Sequence, residues 1–195
     1  CRDLQLSLTA LAGTRPRGKD DIEEEALEKE LRSSEKELAE HYMLVDLGRN
    51  DLGRVAAIGS VAPGEIARVI RYGQVMHLST EISARLKSGL TCFDAVRSCF
   101  PAGTVSGAPK IRAMELLAEL EPEKRGIYSG LVGYFDIKGN TDSAIAIRSA
   151  IVKKGVAHVS AGAGIVQDSD PLSEYEETRS KAMSVLKAIS IADEM

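Results

Sequence analysis

The chain has 195 residues, 44% of them hydrophobic, which is enough for one sizeable core. Its formal net charge of -4 and the lack of a long basic run argue against a nucleic-acid partner, while local positive charge around a small anion stays compatible. No apolar run approaches the ~20 residues of a membrane helix, and Cys1, Cys92 and Cys99 are an odd set that argues against a disulfide framework and for a reducing, cytoplasmic setting.

Residues 4–12 are apolar and partly alternating and predict a strand. The GTRPRG stretch at 13–18 reads as a turn. Asp20 or Asp21 caps a helix with an acidic first turn, running with a break to about Leu52. Candidate strands follow at 55–61, 65–71 and 74–86. Thr91 is the expected N-cap of a short helix over 92–99, which puts Cys92 and Cys99 on one face as two buried small residues. A Gly- and Pro-rich loop, FPAGTVSGAPK, leads into an amphipathic helix near 108–119. Strands are expected at 127–137, 141–152 and 155–161, with Lys138-Gly139-Asn140 as a hairpin turn. A helix from about Leu172 to Ala192, capped by Ser173, closes the chain. Hairpin-joined strands and helices in blocks predict an α+β fold, a layered and mostly antiparallel sheet flanked by helices. The first residue is Cys and no signal-peptide pattern opens the sequence, so the chain is expected to be a fragment with more chain upstream.

Two glutamate pairs stand out. Glu37 and Glu40, and Glu174 and Glu177, are each three apart on a predicted helix, where like charges lie side by side and repel unless a cation is near. Four such carboxylates suit a hard cation such as magnesium, although a solvated helix face explains either pair alone. Gly162 and Gly164 precede the last helix and allow backbone N–H groups close to an anion, or simply a tight turn. His77 lies in mid-strand, where a half-buried structural histidine is the plainer reading. Arg148 ends a very apolar strand and is expected to be buried, with a substrate carboxylate or an internal acid as its partner. Tyr128 and Thr104 are hydrogen-bond donors of open role.

Taken together, GTRPRG (13–18), EKELAEHYMLVDLGRNDLGRV (35–55), VMHLSTEISARL (75–86), FPAGTVSGAPKIRAMELLAELEP (100–122), RGIYSGLVGYF (125–135), DSAIAIRSA (142–150) and GAGIVQDSDPLSEYEETRSKA (162–182) resemble the chorismate-utilising enzymes, and among them the anthranilate synthase branch. The segments cover nearly the whole chain in the family's order. The resemblance implies that the chain is the C-terminal part of a single chorismate-binding catalytic domain. It implies magnesium (Mg2+) held by Glu40 and Glu177, with Glu37 and Glu174 completing the cage, and the ion gripping the ring carboxylate of chorismate. Gly13, Thr14 and Thr104 would contact the substrate. Tyr128, Arg148, Gly162, Ala163 and Gly164 would hold its enolpyruvyl end. His77 would assist loss of that group, and Lys181 would add positive charge. The implied reaction adds ammonia at C2 of the ring, expels the C4 hydroxyl, and then removes the C2 proton and pyruvate to leave anthranilate, in tryptophan biosynthesis. In the family a glutamate upstream of GTRPRG protonates the departing hydroxyl, and residues 1–12 hold no counterpart.

The nearest relative in the family, aminodeoxychorismate synthase, typically carries a nucleophilic lysine where this chain has Ala12, and its loop reads closer to GGSITGAPK than to PAGTVSGAPK. It is the alternative expectation. Isochorismate and salicylate synthases lack the SGAPKIRAME segment and rank lower. Use of glutamine would need a separate glutamine amidotransferase subunit, because no Cys-His glutaminase signature is visible. A different reading is an inactive fragment that binds only metal or partner. An exposed half-sheet in such a chain would favour a homo-oligomer.

Overall fold

The computed structural model describes residues 1–167 and 169–194, the side chain of Asp193 excepted. The chain forms two compact units, one of Cys1–Thr104 with Phe135–Asp142, the other of Val105–Tyr134 with Ser143–Met195. The α+β expectation holds: antiparallel strand pairing and helices make up both.

The first unit is built on strands β1 (Gln5–Pro16) and β4 (Val75–Arg85), antiparallel from Gln5 opposite Arg85 to Pro16 opposite Val75. Short strands β2 (Ala62–Pro63) and β3 (Arg68–Arg71) pair with the other edge of β4. Along β4 the side chains alternate, so Met76, Leu78, Thr80, Ile82 and Ala84 are buried together. Two helices cover the sheet, α1 (Asp21–Ser33) and α2 (Glu35–Gly53). The break between them is Ser34, whose hydroxyl accepts from the Glu37 N–H and opens α2. Residues His41, Leu44, Val45, Gly48 and Leu52 form the buried face of α2 at helical spacing. A Cβ on Gly48 would stand 2.8 Å from Ile82 Cδ1, so this glycine sets how near the helix lies to the sheet. Helix α3 (Cys92–Cys99) is capped as expected, with the Thr91 N–H donating to Asp94. Cys92 is buried and Cys99 half-buried. The short α4 (Gly103–Ser106) follows.

The second unit holds α5 (Lys110–Leu120), the paired strands β5 (Gly130–Phe135) and β6 (Thr141–Ala146), the antiparallel pair β7 (Ala150–Lys153) and β8 (Val156–Val159), and α6 (Pro171–Asp193). The tip of the β5–β6 hairpin belongs to the first unit, where the Thr141 carbonyl accepts from the N-terminal amine and Phe93 stacks on Phe135 at 4.2 Å between centroids.

Several local expectations are corrected. GTRPRG is not wholly a turn: β1 continues to Pro16 through an irregularity between Ala12 and Thr14, where Gly13 takes a φ of 67°. Residues 55–61 form no strand, only a bridge from Ala56 to Leu86, because turns at 57–60 interrupt the pairing. The expected strand over 141–152 divides into β6 and β7, with Arg148 at a φ of 54° between them. The N-cap of α6 is Asp170, which accepts from the N–H and hydroxyl of Ser173, so Ser173 is not the cap.

Candidate active site

In the first unit the site residues gather where β1 bulges. The bulge turns the Gly13 carbonyl to the His77 ring, and Nδ1 donates to it at 2.9 Å. A carbonyl only accepts, so Nδ1 carries a proton, and in the neutral imidazole Nε2 is then the acceptor. The Thr14 hydroxyl lies 3.0 Å from the same Nδ1. Tyr72 sets its ring edge-on to the imidazole, centroids 5.7 Å apart. A Cβ on Gly13 would meet Leu31 Cδ1 at 2.9 Å and Glu37 Oε2 at 3.1 Å, so only glycine fits under the start of α2.

Glu37 and Glu40 lie one turn apart on α2, both half-buried. Glu37 accepts from Arg15 Nη1 at 3.0 Å, and the same nitrogen donates to the Thr14 carbonyl at 2.8 Å. Burial works against the Arg15 charge, but the hydrogen bonds and charges of Glu37 and Glu30 outweigh it and raise its pKa above the ordinary value. Thr104 is exposed on α4.

In the second unit Lys181 ties the Gly162 stretch of the loop before α6 to the helix. Lys181 Nζ lies 2.5 Å from Glu177 Oε1 and donates to the Gly162 carbonyl at 3.1 Å. Arg148 Nη1 donates to the Lys181 carbonyl at 2.8 Å. The expectation of a buried Arg148 is corrected: the side chain is exposed, because the strand breaks at that residue and turns it onto α6. Tyr128 reaches the same loop, and its hydroxyl is 2.8 Å from the place a Cβ would take on Gly162. Ala163 is half-buried and Gly164 exposed beside it. Glu174 is buried and accepts from the Ser169 hydroxyl at 2.9 Å. A cavity of about 30 Å³, lined by Arg125, Tyr128, His158 and Ser160 among others, has room for one water.

The donor set of the four glutamates is all carboxylate oxygen, which suits magnesium. They are divided two and two between the units, and among the described residues neither unit by itself gathers a metal-holding group of three or more His, Cys, Asp or Glu. Glu177 and Lys181 form a half-exposed i,i+4 pair, worth about 0.3–0.5 kcal/mol, a small obstacle to a stronger cation.

Sequence reasoning missed three residues. Arg15 and Tyr72 frame Glu37 and His77, and Arg125 braces Tyr128. Arg15 and Arg125 lie inside the matched segments, but a charged residue there carries no sign of its partner until the chain folds.

A family model described as chorismate binding enzyme matches residues 1–187. Anthranilate synthase component 1 of Streptomyces coelicolor is 57% identical over 183 residues, covering 94% of this chain and 36% of that protein. The crystal structure of anthranilate synthase component I from Streptococcus pneumoniae TIGR4 has a TM-score of 0.86 at 47% identity, covering 94% of this chain and 40% of that one. The menaquinone-specific isochorismate synthase of Escherichia coli has a TM-score of 0.86 at 29% identity, covering 95% of this chain and 42% of that one. The chain thus spans well under half the length of these relatives.

Proposed function

The chain belongs to the chorismate-binding enzyme family, and from that premise we propose that it is the C-terminal catalytic part of an anthranilate synthase large subunit. The observation that carries the choice within the family is the identity gradient, 57% to an anthranilate synthase component 1 against 29% to an isochorismate synthase. Ala12 agrees with it: the position is buried and offers no nucleophile of the aminodeoxychorismate synthase kind.

Glu40 and Glu177, with Glu37 and Glu174, would hold magnesium. When bound, the ion supplies Lewis-acid stabilisation of negative charge on the ring carboxylate of chorismate. Gly13, Thr14 and Thr104 contact the substrate, and Tyr128 and Arg148 orient the enolpyruvyl end against the loop at Gly162, Ala163 and Gly164. Lys181 holds that loop to α6 and adds positive charge beside an anionic substrate. Ammonia forms the new C–N bond at C2 as the C4–O bond breaks, and with one of the ammonia protons the hydroxyl leaves as water. His77 then accepts the C2 proton at Nε2, since Nδ1 is committed to the Gly13 carbonyl. The C3–O bond breaks, the released enolpyruvate takes a proton at its methylene carbon to become pyruvate, and the ring becomes aromatic. Ammonia from glutamine would come from a separate amidotransferase subunit.

The test is to supply chorismate, ammonium and magnesium to this chain, alone and joined to the N-terminal portion of its Streptomyces coelicolor relative, and to follow anthranilate fluorescence. Anthranilate from the joined protein supports the assignment. Isochorismate, salicylate or aminodeoxychorismate as product overturns it. A second reading, a length of chain that binds ion or partner without turnover, is favoured by the 36% of the relative's length that it spans. Anthranilate from the joined protein but none from the chain alone supports that reading.

A further inference from the structure

We infer that Arg125 is a positioning residue for the substrate-holding end of the second unit, acting through the Tyr128 side chain. The inference rests on the function proposed above and adds a residue that no part of it uses.

The guanidinium of Arg125 commits its donors to three segments at once. Nε donates to both oxygens of Glu121, at 3.0 and 2.8 Å, and Nη2 donates to Oε1 at 2.6 Å. Nη1 donates to the Val105 carbonyl at 2.6 Å and to the Ser129 hydroxyl at 3.2 Å. Its Cζ lies over the Tyr128 ring, 5.6 Å from the centroid. Glu121 is the C-cap of α5, Val105 follows Thr104 in the short helix α4, and Ser129 is the buried residue that enters β5.

Tyr128 is therefore fixed from two directions. Its N–H donates to the Arg125 carbonyl at 3.1 Å, while the next residue, Ser129, is held both by the guanidinium and by its own N–H on the Ala146 carbonyl. The ring has one cationic face against it, and its hydroxyl is delivered to the Gly162 loop. Only arginine can serve these partners together, because a lysine has one nitrogen to place. Arg125 is not itself suited to hold a substrate anion, since the Glu121 carboxylate is bidentate on it and offsets its charge. Each member holds the other charged: the pKa of Glu121 is lowered and that of Arg125 raised, both chiefly by their mutual hydrogen bond.

The test uses the joined protein with Arg125→Lys, Arg125→Met, Tyr128→Phe and the double variant Arg125→Met/Tyr128→Phe. Arg125→Met is expected to raise KM for chorismate about tenfold with kcat within about threefold of the parent. In the Tyr128→Phe background the same change is expected to move KM by less than about threefold, because the two act as one unit. Additive effects, a fall in kcat at unchanged KM, or a KM equal to the parent's would each overturn the inference. Should Arg125→Met fail to fold, Arg125→Lys decides: an elevated KM supports the role and a parental KM refutes it. A parent protein with no chorismate turnover would sink the proposed function instead. In that event the ring resonances of ¹³C-labelled Tyr128 still report: a shift on Arg125→Lys supports the brace and unchanged resonances remove it.

Discussion

The bulge in β1 presents the Gly13 carbonyl to His77 Nδ1 and so favours the tautomer with its proton there. The Gly13 carbonyl accepts from Nδ1, so Nε2 is the nitrogen proposed as the base. His77→Ala is expected to slow pyruvate release by roughly 10²–10⁴-fold while amination changes less; the aminated intermediate then accumulates in quenched-flow samples, and equal slowing of both steps would contradict the role. Glu40→Gln and Glu177→Gln each remove one carboxylate proposed for the ion. Lewis-acid stabilisation is worth several kcal/mol, so turnover should fall by about 10²-fold or more, and calorimetry should show weakened magnesium binding. Parental rates and binding would refute the assignment. His41 is a different kind of residue. It is fully buried on α2, with one ring nitrogen 2.7 Å from the Thr80 hydroxyl and Nδ1 without a hydrogen-bond partner among the described residues. Burial lowers its pKa, so below about pH 6.5 the unfolded chain takes up a proton that the folded chain refuses. Stability is expected to fall as pH drops from about 6.5 toward the lowered folded value, and His41→Gln should flatten that limb in urea titrations at several pH values.

At the scale of the element, Ser34 does two jobs, ending α1 and capping α2. Ser34→Ala should cost about 1 kcal/mol in thermal or urea unfolding, with no change in m-value. A larger loss would mean that the break also positions α2 on the sheet. The elements that were legible in the sequence are those with strong local signals. Partial alternation marked β1, β-branched residues marked β4, Thr91 marked the start of α3, and the acidic first turn marked α1. The extended reading over 141–152 failed for a physical reason: its composition is continuous, but Arg148 takes a left-handed backbone so that its guanidinium can reach α6. Likewise Ser173 resembled a cap, yet Asp170, one turn earlier, takes its N–H and hydroxyl.

Across the whole molecule, burial is uneven. Among the described residues every buried hydrophobic side chain, from Leu6 to Ala95, belongs to the first unit. The second unit leaves Val132, Val152, Ile165 and Leu172 exposed, and helix α5 buries none of its side chains. Local stability follows buried apolar contact, so amide exchange should be slow along β1 and β4 and fast along β5 to β8. Equal protection in both units would contradict this. The exposed apolar surface should also bind hydrophobic dyes and promote association as concentration rises, which sedimentation velocity can follow. By itself the sequence determined the α+β class, most helix limits and the identity of the residues proposed for chemistry, because periodicity, caps and ordered motifs are local properties of the chain. The tertiary structure alone decided which nitrogen of His77 meets the Gly13 carbonyl, that Arg15 pairs with Glu37, and that Lys181 joins Glu177 to the Gly162 loop. Those are meetings between residues as many as 64 positions apart, and nothing in the spacing of either partner announces the other.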